Sequence, residues 1–526
     1  MSRITIWYSL LVILVFAAGI FIRVKNFPDI PPGFNQDEAG SAYESYSLYK
    51  TGKDKWGNQL PAYFPSWGSG QNVLQAYLSI PVINHYGLSL FSARLVPLII
   101  GVCTLPLLFF CLLPLGRTAA LMALFLISVS PWHFMLSRWS LESNLLPFFM
   151  LLGCTFLSKA FITQKKKWII PSLIPFAIAL YAYGTTAMVL PLFFMLVFLI
   201  FYQNIKVHFS SWLIALFIFL IFSFPFILFF VENYVLGENL LWTDHFFFST
   251  PLCPSTRLSQ NGGISLNTVW ANSRLLFSGF NDNTPYNLVQ GYALLLPFCF
   301  LLAFSGFIII GKRMWKKRQV FIADQKEIIL FIFLIWGFSA FILFFLFELN
   351  VNRFNHFFIP CIVMSTWMIN KIAADFKSSV IRQSIAIMIL CFWMIESGLM
   401  INNYFTEYPE SSIKPHFNAN LREAFAPLKD LSCKQIFITD QIALPYVYTL
   451  FYVQYPPEKF QREAEFIVAG GQYRVKRFGK YIFDRALVDS MNDYAYLLRK
   501  EEVRNDLPNK KILYQDKFWE AAFIDR

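Results

Sequence analysis

Long apolar runs separated by short polar breaks fill the chain from residue 4 to residue 401, and then the pattern stops. The first run, Ile4 to Ile22, is about nineteen residues long, enough to cross a bilayer as a helix. It follows Arg3 and lacks a convincing small-x-small cleavage site, so it reads as a retained anchor. Ten further runs follow near 92–113, 118–131, 144–162, 168–183, 187–203, 211–231, 290–310, 327–347, 356–371 and 383–401. Pro171, Pro175, Pro191 and Pro225 interrupt several of them. The expected fold is mostly α: a polytopic membrane protein with about eleven transmembrane helices, residues 1–401, followed by a small extracytoplasmic α/β domain, residues 402–526.

Between the first two runs lies a long polar interval, residues 23–91. Within it Asp37 is placed to cap a helix through Ala39–Tyr49, with aromatics at positions 43, 46 and 49. A second helix is expected from Gln71 toward Asn84, and both are predicted to lie along the outer membrane surface. The turn Pro65-Ser66-Trp67-Gly68-Ser69-Gly70 joins them and allows close approach to a ligand. In the tail, Gln435–Asp440 reads as a buried strand and Pro445–Tyr452 as an aromatic helix. Tyr473–Phe483 alternates like one or two edge strands.

Composition agrees with the apolar pattern: of 526 residues 56% are hydrophobic and only 14% charged, against about 25% in soluble domains. The net charge of +12 would suggest a nucleic-acid partner until it is located. From residue 402 onward there are 18 Lys and Arg against 17 Asp and Glu, so the excess belongs to the membrane part. It sits in short loops at Arg117, Lys165–Lys167, Lys206, Lys312–Arg318 and Lys371–Arg382, which fall on one side of an eleven-span topology. That is a positive-inside signal. It sets the N-terminus in the cytoplasm and the C-terminal domain outside, in a multi-pass cell-membrane protein, and it disfavours nucleic acid. Six of eight cysteines lie in apolar runs; Cys253 and Cys433 fall in polar regions, where a disulfide between them is left open.

The same topology brings four polar segments to the outer side. They contain Asp37-Glu38, Ser137–Asn144, Tyr181–Thr186 and Asn350–His356. Asp37 and Glu38 are candidates for general-base and acceptor-orienting work where the membrane meets water; capping and first-turn placement on a helix is the bland alternative. Arg94, Arg138 and Arg353 are candidates for a phosphate, since a guanidinium binds it bidentately. For Arg94 the competing reading is interfacial snorkelling, and for Arg138 an i,i+4 ion pair with Glu142. Glu142, Tyr183, Asn352 and His356 complete the candidate set. The histidines lack metal-site spacing, and no nucleotide-binding glycine loop appears in a strand–helix context.

These features resemble the GT-C glycosyltransferases. Pro32–Gly40, the Arg94-Leu95-Val96-Pro97 opening of the second run, and Ser130-Pro131-Trp132-His133 through Asn144–Phe149 carry the likeness. More narrowly, the chain is similar to the bacterial branch related to protein O-mannosyltransferases and the lipid A aminoarabinose transferase. The resemblance implies inverting sugar transfer from a polyprenyl-phosphate donor on the outer face, with Asp37 as catalytic carboxylate and Glu38 as its partner. It implies no certain cofactor and leaves divalent-metal dependence open, with no ligand motif for one. Protein, lipid and cell-wall polymer all stand as acceptors. The rival readings are a transporter or flippase of lipid-linked sugars and a noncatalytic envelope-polymer assembly protein. A transporter would carry charge near the bilayer midplane.

Overall fold

The computed structural model describes all residues except 1–2, 67, 243–244, 256–264, 319, 376–378, 489–492, 504–508 and 526. Seven helical segments are long and apolar enough to cross a membrane: Thr5–Val24, Leu90–Leu115, Glu142–Thr163, Thr186–Val207, Phe209–Leu236, Gln325–Leu346 and Ile387–Glu410. Four other expected runs form helices that are shorter, interrupted or less apolar. Arg117–Val129 has 13 residues, and the 168–183 run is divided at Pro171 and Pro175 into Lys166–Ile169, Ile170–Leu173 and Ile174–Leu180. Cys299–Lys317 ends in a basic turn, and Phe358–Asp375 carries polar residues in its second half. Among the described residues, length and composition thus suit seven helices to a membrane crossing.

Helices apolar on every side separate into two environments. Gln325–Ala340 is central, with every residue from Ile328 to Gly337 buried. Thr5–Val24 and Phe209–Val231 instead leave Trp7, Leu14, Phe217 and Phe222 exposed. Those side chains suit lipid.

After the last long helix, Ser379–Thr406, comes a strand-containing domain. Seven strands, β1 Ile436–Ile438, β2 Glu465–Ala469, β3 Gln472–Phe478, β4 Tyr481–Ile482, β5 Tyr494–Arg499, β6 Lys510–Gln515 and β7 Trp519–Ile524, form one sheet in the order β2-β3-β4-β1-β5-β7-β6. β1 is fully buried and pairs in parallel with β4 and β5. The other pairings are antiparallel. β3 and β4, expected at an edge, lie inside the sheet. Alternation records which residues face the core but not the order of strands.

The polar interval departs most from expectation. Its first helix, Gln36–Thr51, is not an exposed surface helix: residues from Glu38 to Ser45 are all buried in protein. Phe34, Ala39, Ala42 and Tyr43 share one core with Leu421, Ile436, Tyr446, Phe478 and Trp519 of the C-terminal domain. The second helix, Leu74–Tyr86, packs between Gln36–Thr51 and Leu90–Leu112. Trp56 is the firmest anchor. Its ring stacks on Tyr473 at 4.9 Å and meets Phe466 at 5.0 Å and Phe460 at 5.6 Å. Beside it Lys55 pairs with Glu44, both buried. Asp54, also buried, accepts from the Trp56 and Asn58 amides at 2.9 and 2.8 Å.

Candidate active site

Asn35, and not Asp37, caps the first outer helix. Its side chain accepts from the Asp37 amide at 2.9 Å, while the Glu38 carboxylate accepts from the Asn35 amide at 3.2 Å. This reciprocal capping box satisfies two helix-end donors and places Asp37 in the first turn, at the positive end of the helix dipole. The preceding Gly33 has φ +87°, and a Cβ there would come within 2.3 Å of the Phe417 carbonyl oxygen. The Phe34 amide bonds that same carbonyl. Glycine thus lets the loop close onto the segment that follows the last long helix.

Glu38 turns away from solvent, with no exposed surface. Arg94 binds it bidentately, Nε to Oε1 at 2.9 Å and Nη2 to Oε2 at 2.7 Å. The Ser140 amide adds a bond at 2.7 Å. The remaining Arg94 donors go to the carbonyls of Pro28, Pro31 and Gly33. Arg138 is equally committed, donating to the carbonyls of Ile22, Arg23, Lys25, Asn26 and Ile30, where it closes the end of the first span. Neither arginine borders the cavity described below, which corrects the expectation that both bind phosphate. Nor do Arg138 and Glu142 form an ion pair: residues 137–141 are not helical, so four-residue spacing does not align them.

Asp37 opens instead onto a cavity of about 620 Å³, within the range of ligand pockets. Of the other sequence candidates, Glu142, Tyr183, Asn352 and Arg353 line it too. Glu38 and His356 do not: His356 is buried, its Nε2 3.4 Å from the Thr186 hydroxyl. Arg353 is the only Lys or Arg among the described lining residues. Its backbone amide donates to Asn350 Oδ1 at 2.8 Å and its Nη1 to the Glu348 carbonyl at 2.6 Å, which holds the 348–353 loop around it. Glu142 accepts from the backbone and side-chain amides of Asn72 and so fixes the turn before the second outer helix.

Two segments distant in sequence meet through Asn355. Its Oδ1 accepts from Trp132 Nε1 at 2.8 Å and its Nδ2 donates to the Ser143 carbonyl at 3.2 Å.

Sequence reasoning missed Tyr286. It lines the cavity, and its ring lies 5.5 Å from that of Trp139. Burial, then the charges of Asp282 and Asp37 and the Tyr183 phenol, push its hydroxyl up to about 12, against the opposing pull of Arg353. One phenol therefore feels both Asp37 and Arg353. The Asn281-Asp282-Asn283 turn cluster just before it was the available signal. Also missed were Gly470 and Gln472, which reach the cavity from the C-terminal sheet.

The apolar part of the lining includes Met188, Phe226, Phe229, Phe230 and Phe347. Phe226 and Phe229 belong to the long helix Phe209–Val231. Among the described residues no group of three or more His, Cys, Asp or Glu side chains gathers to hold a metal ion. Among the described residues no disulfide joins any of the eight cysteines, Cys253 and Cys433 included.

The comparisons with known proteins fit this architecture. A family model described as dolichyl-phosphate-mannose-protein mannosyltransferase matches residues 78–229, from the second outer helix through the phenylalanine-rich wall. The chain is similar in fold to ArnT from Cupriavidus metallidurans in the apo state, at 11% identity over 99% of this chain and 98% of that one, with a TM-score of 0.57. The same protein bound to undecaprenyl phosphate gives 12% identity over the same shares, with a TM-score of 0.56. The oligosaccharyltransferase of Archaeoglobus fulgidus in its apo form gives 13% identity over 85% of this chain and 64% of that one, with a TM-score of 0.51. No curated protein matches in sequence. The protein is a multi-pass membrane protein with the GT-C glycosyltransferase fold. Part of it, residues 78–229, is similar in sequence to the mannosyltransferase model, and its fold is similar to that of ArnT.

Proposed function

We propose that the protein transfers a sugar from a polyprenyl-phosphate-linked donor to an acceptor hydroxyl on the outer face of the membrane, with inversion at the anomeric carbon. The observation that carries this reading is a carboxylate, Asp37, and an arginine, Arg353, bordering one cavity that is also lined by Met188, Phe226, Phe229 and Phe230 of long apolar helices. Asp37 takes the proton of the acceptor hydroxyl as its oxygen bonds to the anomeric carbon. The bond from that carbon to the phosphate oxygen breaks on the opposite face, and polyprenyl phosphate leaves with the electron pair. Arg353 stabilises the charge gathering on it. The phenylalanine wall suits the first isoprene units. The family model names a dolichyl-phosphate sugar user, and the ArnT structure holds undecaprenyl phosphate; both support a lipid-phosphate donor here.

Glu38 acts at one remove, fixing the helix start that aims Asp37. Tyr183 and Asn352 line the space beside the donor sugar. The basic short loops support an outer-facing cavity and an extracytoplasmic C-terminal domain. The division into a membrane domain, 1–401, and a C-terminal domain, 402–526, serves the same reading, with the outer loop 23–91 shared between them.

The test uses purified protein with mannosyl, glucosyl and aminoarabinosyl polyprenyl phosphates, following release of polyprenyl phosphate. One donor is expected to turn over, and Asp37→Asn to slow it by roughly 10²–10⁴-fold with unchanged thermal unfolding. No turnover with any donor, or full turnover in Asp37→Asn, overturns the reading.

A further inference from the structure

The β2–β3 hairpin carries chemistry that the reaction has not yet used. Its turn, Gly470-Gly471, has φ +60° and +67°, the tight geometry of a two-residue hairpin. Ala469 and Gln472 close it. Gly470 and Gln472 line the same cavity as Asp37 and Arg353, and they are the only described lining residues from the C-terminal sheet.

The hairpin is held there from two sides. Tyr473 and Phe466 grip the Trp56 ring of the outer loop. At the tip, Ser255 donates its hydroxyl to the Gly471 carbonyl at 3.2 Å and its amide to the Gly68 carbonyl at 2.9 Å. Gly68, at φ +81°, approaches so closely that a Cβ would fall 1.5 Å from the Gly471 oxygen.

Three other amides around the cavity already have bonds to make. Asn35 caps the helix and donates to the His416 carbonyl at 3.2 Å. Gln71 donates to the Asp37 carbonyl at 3.4 Å, and Asn350 receives the Arg353 amide. The Gln472 side chain, half-buried on the cavity wall, has no hydrogen-bond partner among the described residues. An amide offers two donors and one acceptor, the complement that a sugar hydroxyl needs.

We propose that Gln472 is a specificity-determining residue that hydrogen-bonds a hydroxyl of the transferred sugar, delivered to the cavity by the hairpin of the C-terminal domain. This rests on the cavity being the sugar-transfer site. Selection for that sugar is then divided: the outer loop and the 348–353 loop supply the reacting groups, and the C-terminal sheet reads one hydroxyl.

The experiment takes whichever of the three donors turns over, with its monodeoxy analogues, and compares kcat/KM in wild type, Gln472→Ala and Gln472→Glu. Wild type is expected to discriminate roughly tenfold against the one analogue lacking the hydroxyl that Gln472 reads. Gln472→Ala loses that discrimination and keeps the rest, and Gln472→Glu, of nearly equal volume, alters discrimination at the same hydroxyl only. Wild-type discrimination in both variants, or an equal loss on every donor, overturns the assignment and leaves the site reading intact. Full turnover in Asp37→Asn removes that reading instead.

Discussion

Asp37 and Glu38 are neighbours in the chain and opposites in their surroundings. Glu38 is enclosed by Arg94, the Ser140 amide and the Asn35 amide, and its charge is balanced inside the protein. Asp37 sits one residue earlier on the same helical turn and borders an open cavity. The arginines repeat the contrast: Arg94 and Arg138 spend their donors on protein oxygens, whereas Arg353 reaches the cavity. A charge at the membrane edge thus does one of two jobs. Enclosed and bonded, it holds loops in place; bordering a cavity, it is placed to meet a ligand.

Arg94→Ala should break the enclosed half hardest. It leaves Glu38 buried without its counter-ion, a change that costs about 3–5 kcal/mol, seen as a fall in thermal unfolding temperature or loss of folded protein in detergent. Arg94→Lys should recover little, because an ammonium cannot make the bidentate contact and reach three carbonyls. Arg353→Ala tests the open half. It should leave unfolding within about 0.5 kcal/mol of wild type while lowering kcat/KM for the lipid-phosphate donor roughly 10²-fold. Equal destabilisation by the two alanine variants would erase the distinction.

The smallest effect concerns pH at the Trp56 anchor. Burial, and then the Glu44 carboxylate, push Asp54 up to about 7 from an ordinary 3.8. A carboxyl raised on folding binds its proton more tightly in the folded state. Its contribution is full below about pH 4 and is lost as pH rises through about 7. Docking of the outer loop on the C-terminal sheet should therefore loosen between about pH 4 and 7, and Asp54→Asn should flatten that dependence. Limited proteolysis of the intact protein at several pH values measures it.

The membrane helices were legible because burial in lipid imposes long apolar runs that few other demands can mimic. That Asp37 and Arg353 border one cavity was legible because the expected topology groups polar segments that lie far apart in the sequence. The roles of Arg94 and Arg138 were not. An arginine beside a span looks alike whether it faces a phosphate or a carboxylate fifty-six residues away (Glu38 to Arg94). The capping error was avoidable: Asn35 and Glu38 already have the N-cap-to-N3 spacing of a capping box, which Asp37 lacks. The burial of Gln36–Thr51 was hidden for a different reason. Its serines and glutamates look solvent-facing until the partners that satisfy them, such as Lys55 for Glu44, come from elsewhere in the fold.

The hairpin also has a thermodynamic consequence. Asp37 and Arg353 are held by the outer loop and the membrane helices, while Gly470 and Gln472 hang from the C-terminal sheet. A ligand touching both sets acts as a linker, and its occupancy and the seating of the sheet become coupled equilibria. At a hundred times its dissociation constant such a ligand adds about 2.7 kcal/mol to the seated state. A substrate would then help to assemble the enclosure in which it reacts.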